Sequence, residues 1–280
     1  MDQHLPKISI LSCGWLGKPL AQHLQRTGYT VKGARTTAAG VQELQEAGID
    51  GYQVVLSESQ LDAPDTFWDA DILIINIPPR NRERGTEAHV QEIKILKEKL
   101  ETTSIKKVIF VSSTSVYADV NDMVTEHNMV MPETPNGIAL REVEQILLQS
   151  PAFRTTVLRF GGLIGYDRIP NAETLLTQRR SNDVPMNVIH RDDCIGIISL
   201  LLEKDIWGEI FNACASVHPI RYHYYRAAAQ AQKLEMPKKL QPIEQPYKIV
   251  SSAKLKQRLG YEFIYDDPLL IFNAPTTGTK

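Results

Sequence analysis

The run D-I-L-I-I-N-I at 71–77 constrains the fold more than any other stretch of the chain. It has the length of a strand, is apolar almost throughout, and is closed by Pro78 and Pro79. A strand this apolar has no face to give to water, so it must be covered on both sides, as the central strand of a parallel sheet is. The flanking sequence repeats the theme. Residues 29–34, 51–56, 107–112 and 156–160 read as strands, and 37–47, 85–102 and 133–149 as helices between them. The helix over 85–102 sets Val90, Ile93, Leu96 and Leu100 on one face. Parallel neighbours require crossovers, and these are usually helical, so the alternation implies an α/β fold with a doubly wound parallel sheet.

The first unit of this series is the most informative chemically. K-I-S-I-L-S-C-G-W-L-G at 7–17 is a strand, then a glycine-containing turn, then an amphipathic helix from Trp15 on. Unpaired N–H groups at such a helix start, at the positive end of its dipole, suit a pyrophosphate if no side chain blocks its approach. Gly14 and Gly17 would give that access, with Ser12, Trp15 and Leu16 completing the contact. The dinucleotide fingerprint G-x-G-x-x-G is incomplete, because Ser12 stands where its first glycine belongs and its Cβ restricts the tight turn. The turn alone is consistent both with a cofactor site and with a plain strand-turn-helix.

Composition removes several other classes. With 280 residues, 42% of them hydrophobic, the chain can build one large domain with an appended lobe. The 31 basic and 33 acidic residues leave a net charge of -2, which gives no footprint for nucleic acid or an anionic membrane. Cys13, Cys194 and Cys214 are odd in number and lie in apolar stretches, so neither a disulfide framework nor a metal site is expected, and a reducing cytoplasm fits. Neither a signal peptide nor a transmembrane run is expected.

Beyond Gly161 the rhythm changes. A loop-rich section runs to Pro185, followed by a strand over 186–190 and a helix over 193–203 capped by Asp192 or Asp193. A strand at 209–212, helices at 219–233 and 251–259, and a loose tail after Asp266 complete the reading. The expected division is a dinucleotide-binding domain over 1–160, to which 190–212 returns, and a smaller substrate lobe from 161–189 and 213–280.

Several stretches in order resemble the extended short-chain dehydrogenase/reductases, the epimerase and dehydratase group, and especially their atypical branch. They are G-W-L-G at 14–17, F-V-S-S-T-S-V-Y at 110–117, L-R-F-G-G-L-I-G at 158–165, I-H-R-D-D at 189–193, G-E-I-F-N-A at 208–213 and S-A-K-L-K-Q-R-L-G-Y at 252–261. The resemblance implies a Rossmann-type fold with a small C-terminal substrate lobe, and a dinucleotide on the 12–17 turn. Ile77 and Pro78, after the fourth strand, join the cofactor contacts. At the end of the second strand, V-K-G-A-R-T-T puts Arg35 and Thr36 where an acid would hold the ribose 2′-OH of NAD. A guanidinium pairs with a 2′-phosphate, so NADP is expected over NAD, which stays possible.

The catalytic pattern is broken. Ser113 stands at the family's catalytic hydroxyl, with Ser115 beside it, but T-P-N-G-I-A-L-R at 134–141 puts Asn136 where the tyrosine of Tyr-x-x-x-Lys belongs and Leu140 where the lysine belongs. Tyrosine titrates near pH 10 and needs the lysine charge one turn away to act at neutral pH. Asn136 cannot exchange a proton and is read instead as a substrate contact. Tyr117 is a candidate replacement, the alternative being that it packs against the sheet edge. Arg80 and Arg82, in P-P-R-N-R-E-R-G at 78–85, are candidate holders of a substrate phosphate or carboxylate, the alternative being a solvated charge run. His190, Asp192 and Asp193 read as helix-capping groups, not as a metal centre.

Two functions follow from this pattern. One is an NAD(P)-dependent oxidoreductase or epimerase/dehydratase for a small carbonyl or sugar-like substrate, with a homodimer as the candidate assembly. The other is a non-catalytic NADP-binding regulator or sensor that kept the fold.

Overall fold

The computed structural model describes residues 5–78, 86–170, 184–234 and 245–272. Its first half alternates as the sequence requires. Strand β1 (Ile8–Leu11) leads to helix α1 (Gly17–Arg26), β2 (Val31–Arg35), α2 (Ala38–Glu46) and β3 (Asp50–Gln53). A short antiparallel pair, β4 (Val55–Leu56) and β5 (Leu61–Asp62), precedes β6 (Ile72–Ile75), the strand of the 71–77 run. Then come α3 (Thr86–Glu101), β7 (Lys107–Ser113), β8 (Asp122–Val124), α4 (Pro135–Leu148) and β9 (Arg154–Phe160). The remainder is β10 (Gly162–Ile164), β11 (Val188–His190), α5 (Arg191–Glu203), β12 (Ile210–Ala213), α6 (Arg221–Ala231), β13 (Lys248–Val250) and α7 (Ala253–Leu259).

Seven strands form one parallel sheet in the order β12-β9-β7-β6-β1-β2-β3. The order reverses at β1, which pairs with β2 on one side and β6 on the other, Ile8 facing both Val31 and Ile72. Residues of β6 alternate between two cores. Ile72 and Ile74 pack with α1, α2 and α5 through Leu20, Leu24, Leu44, Ile197 and Leu201. Leu73 and Ile75 pack with α3 and α4 through Ile93, Leu96, Val143 and Leu147. All four β6 side chains are at most 2% exposed, each contributing roughly 1.5–3 kcal/mol of burial free energy. Among the described residues, no helix is long and apolar enough to cross a membrane.

The smaller elements follow the carboxyl ends of the strands and gather at that edge. β8 pairs with β13, and β10 with β11.

Several expectations need adjustment. The third strand does not run over 51–56: Val54 N–H donates to the Arg35 carbonyl (2.9 Å), after which Val55 and Leu56 turn away to pair with β5. The strand over 186–190 shortens to 188–190, because Met186 N–H donates to Pro219. Helix α5 is capped by neither aspartate but by His190, whose Nδ1 accepts from Asp192 N–H at 3.2 Å. The tail is not loose through 272, since Pro268–Phe272 form a 3-10 turn and the Phe272 ring lies 5.0 Å from that of Tyr224.

Candidate functional site

The turn between β1 and α1 is built around two glycines with different surroundings. A Cβ on Gly17 would lie 2.8 Å from the Ser12 carbonyl oxygen, so this glycine lets the helix start pack against the turn. A Cβ on Gly14 would meet nothing nearer than Arg35 Nη1 at 3.9 Å, so this one keeps space open. Ser12 adopts φ of 72°, a left-handed conformation that glycine takes freely and serine at a cost of roughly 1–2 kcal/mol. The missing fingerprint glycine is therefore missing in chemistry but not in backbone shape. Bonds to neighbouring strands hold the turn: Cys13 N–H to the Ala34 carbonyl (2.8 Å), and Asn76 Nδ2 to the Ser12 carbonyl (3.2 Å). Cys13 itself is buried, and burial pushes its thiol up to about 12, so it is inert. No side chain caps α1, and its first turn carries no acid. That leaves the positive end of the helix dipole available to an anion.

Two adjoining cavities open on this turn, at the reversal of strand order where α/β sheets hold ligands. The larger, of about 430 Å³, is lined by Ser12, Gly14, Trp15 and Leu16 from the turn and by Asn76, Ile77 and Pro78 after β6. Val111, Ser112 and Ser113 from β7, Leu140 from α4, Phe160 to Leu163 and Arg168 complete it. The smaller, of about 220 Å³, is lined by Ser12, Gly14 and Ile77 again, together with Leu11, Ala34, Val54, Leu56, Arg35, Thr36 and Glu92. Arg35 is half-buried there; its Nη1 donates to the Cys13 carbonyl (3.4 Å) and its Nη2 lies 3.5 Å from Glu43. The cofactor candidates of the sequence thus come together, with Gly17 just beneath as support. Gly14 is common to both cavities and keeps the space between them open.

The catalytic candidates separate. Ser113 lines the larger cavity, and its Oγ accepts from Ser115 N–H at 3.2 Å, which leaves its O–H to donate into the cleft. Ser115 itself does not line that cavity. Asn136 is exposed in the first turn of α4 and is also absent from the lining, whereas Leu140 is present and makes that wall apolar. Arg141 is turned away to the Asn128 carbonyl (3.4 Å) and does not stand in for the lysine.

Tyr117, the proposed replacement tyrosine, is 1% exposed and outside the cleft. Its hydroxyl donates to Asn212 Oδ1 (2.7 Å) and accepts from Arg159 Nη1 (2.6 Å). Arg159 in turn is paired with Glu144 at 2.6 Å, both side chains being buried, and Ser112 Oγ donates to the same carboxylate at 2.6 Å. Burial raises the Tyr117 pKa despite Arg159, the opposite of what an acid-base tyrosine needs. The sealed network corrects the catalytic reading of this residue. Arg80 and Arg82 lie outside the described residues.

His190, Asp192 and Asp193 serve structure. Asp193 accepts from Tyr261 Oη (3.0 Å), Ile264 N–H (2.7 Å) and Tyr265 N–H (3.1 Å), tying the C-terminal segment to α5. Among the cleft residues that sequence reasoning missed are Asn76, Phe160, Arg168 and Glu92. Asn76 had a signal, being the one polar residue inside the 72–77 run. Arg168 had none, because it reaches the site only through the path of the chain after β10.

No family model matches the chain. Protein YeeZ of Escherichia coli K12 is 34% identical over 274 residues, covering 95% of this chain and 99% of YeeZ. Among solved structures, a Methylobacillus flagellatus protein assigned as an NAD-dependent epimerase/dehydratase superposes with a TM-score of 0.76 at 27% identity, with 94% of each chain covered. A short-chain dehydrogenase/reductase superfamily protein from Agrobacterium tumefaciens, solved with bound NAD, gives 0.73 at 18% identity over 95% of each chain. UDP-glucose 4-epimerase of Thermotoga maritima, solved with UDP-glucose, gives 0.75 at 18% identity over 94% of this chain and 96% of that one, a likeness of fold.

Proposed function

We propose that this chain, which belongs to the extended short-chain dehydrogenase/reductase family and is a relative of YeeZ, is an NAD(P)-dependent oxidoreductase or epimerase/dehydratase for a small carbonyl or sugar-like substrate. The observation that carries this reading is a single cleft in which the uncapped phosphate turn Ser12–Leu16 and the free hydroxyl of Ser113 line the same wall space. The cofactor would lie along Gly14, with its adenosine end toward Arg35 and Thr36 and its nicotinamide end toward Ser113. When bound, a nicotinamide dinucleotide supplies or accepts hydride. Ser113 holds the reacting oxygen by donating its O–H, and Phe160, Leu163 and Leu140 exclude water around it. The lobe after Gly161 completes the substrate pocket. Arg35 favours NADP, since its fork suits a phosphate dianion.

The test is direct. NADP+ should bind more tightly than NAD+, and Arg35→Ser should abolish the preference without abolishing binding; equal affinities in the unchanged protein would refute the NADP assignment. A panel of aldehydes, ketones and nucleotide sugars should then reveal either NADPH oxidation, for a reductase, or an epimer or dehydrated product with no net change in the cofactor, each lost in Ser113→Ala.

The second reading, a dinucleotide-binding regulator, has one observation in its favour. Leu140 brings an apolar wall to the place where the family's lysine would act, and Tyr117, the candidate replacement for the tyrosine, is sealed in its own network. Binding without turnover across the panel would decide for it.

A further inference from the structure

Among the described residues lining the larger cavity, Arg168 alone carries a charge. It does not belong to the nucleotide-binding sheet. It comes from the turn after β10, closed by the Gly165–Arg168 bridge and by Arg168 N–H donating to the Gly165 carbonyl at 3.0 Å. That turn is pressed onto Trp15 of the phosphate turn. Trp15 Nε1 donates to Asp167 Oδ1 at 2.7 Å, and a Cβ on Gly165 would lie 3.0 Å from the indole, so a side chain there would push the ring back by a few tenths of an ångström. The Arg168 guanidinium stands 5.1 Å from the Trp15 ring centroid. Arg191 also lies over that ring, at 4.8 Å, and is 3.7 Å from Asp167.

Arg168 and Arg191 share the single carboxylate of Asp167, so the group carries a net positive charge beside a helix start without cap or acid, an arrangement that selects an anion. The N–H groups of the turn carry only partial charge, whereas a dinucleotide pyrophosphate brings two full negative charges to a turn that Arg35 approaches from the smaller cavity and, among the described lining residues, Arg168 alone approaches from the larger. A guanidinium fork matches phosphate oxygens two at a time.

We propose that Arg168 is a cofactor-binding residue that grips the dinucleotide pyrophosphate from the lobe side, so that the phosphate site is completed only when the 165–168 turn is latched on Trp15. The proposal rests on the cofactor reading given above. It separates two roles: Arg35 decides between the dinucleotides, and Arg168 holds whichever is present. It also gives the Trp15–Asp167 hydrogen bond a purpose, since that bond fixes the turn that carries the arginine.

The experiment is a titration of the full chain with NADP+ and NAD+, followed by calorimetry and by tryptophan emission, for which Trp15 is the reporter in contact with Arg168. Arg168→Gln should weaken both dinucleotides alike by about tenfold or more, leave the ratio of their affinities unchanged, and flatten the salt dependence of Kd. Arg168→Lys should recover part of the loss through charge without the fork. Because Arg168 is exposed, both variants should melt with the unchanged protein, so weaker binding cannot come from misfolding. Unaltered affinity for both dinucleotides in Arg168→Gln would overturn the proposal, as would a loss confined to an anionic substrate. If the unchanged protein takes up neither dinucleotide at millimolar concentration, the cofactor reading falls and this proposal with it.

Discussion

The contrast between Gly14 and Gly17 gives the sharpest test of how the turn works. Alanine at 17 puts a methyl 2.8 Å from the Ser12 carbonyl oxygen and 3.4 Å from Ile10 Cγ2. The carbonyl cannot retreat freely, because Asn76 Nδ2 holds it at 3.2 Å. Such overpacking costs about 1–3 kcal/mol, offset by about 0.4–1 kcal/mol from a less flexible unfolded chain. The net expectation is a loss of roughly 1–2 kcal/mol, a fall in Tm of about 2–4 °C per kcal/mol. Alanine at 14 has its nearest neighbour at 3.9 Å and no positive φ to oppose it, so stability should rise by up to about 0.4–1 kcal/mol from the less flexible unfolded chain. Its methyl, however, would stand in the space left for phosphate, and affinity for NADP+ should fall more than tenfold. Thermal denaturation and dinucleotide titration of both variants separate the effects. A Gly14→Ala protein that binds as tightly as the original, or a Gly17→Ala protein that melts no earlier, would refute the division of labour.

Three other expectations follow from the buried polar groups. Tyr117→Phe leaves Arg159 and Asn212 each short of a partner and should cost about 1–3 kcal/mol in urea denaturation, with turnover per folded molecule unchanged. Glu144→Gln removes the charge opposite a buried Arg159, whose own protonated form burial opposes and Glu144 outweighs, and should destabilise by about 3–5 kcal/mol. His190 must be neutral to accept from Asp192 N–H, and burial lowers its pKa below the ordinary 6.5. The unfolded chain therefore binds the proton more readily, so stability should be full above pH 6.5 and decline as pH falls through that value; His190→Asn, which keeps a cap acceptor, should flatten a Tm profile between pH 5 and 7. A profile as steep as the original would exclude His190 as its source.

Ser12 shows how far local reading reaches. Its side chain breaks the glycine fingerprint, yet its backbone takes the glycine conformation, because the bonds from Cys13 and Asn76 fix the turn from neighbouring strands. The apolar run at 71–77, the 3.6-residue spacing of the following helix and the Arg35 position were all legible, since each depends on neighbours close in sequence. The capping of α5 by His190 was misplaced by two or three residues, because histidine is an uncommon cap and the aspartates beside it are frequent ones. The packing of residues 268–272 was not legible either, because it depends on Tyr224.

By itself, then, the sequence determined the doubly wound sheet, the order of its units and the glycine-containing turn after the first strand, because strand and helix periodicity are written residue by residue. Only the tertiary structure decided which polar groups reach the cleft. Tyr117 is withdrawn from it by Asn212, 95 residues away, and Trp15 is joined to Asp167 across 152 residues, bringing Arg168 with it. No local pattern encodes such pairings, since they arise where the carboxyl ends of distant strands converge.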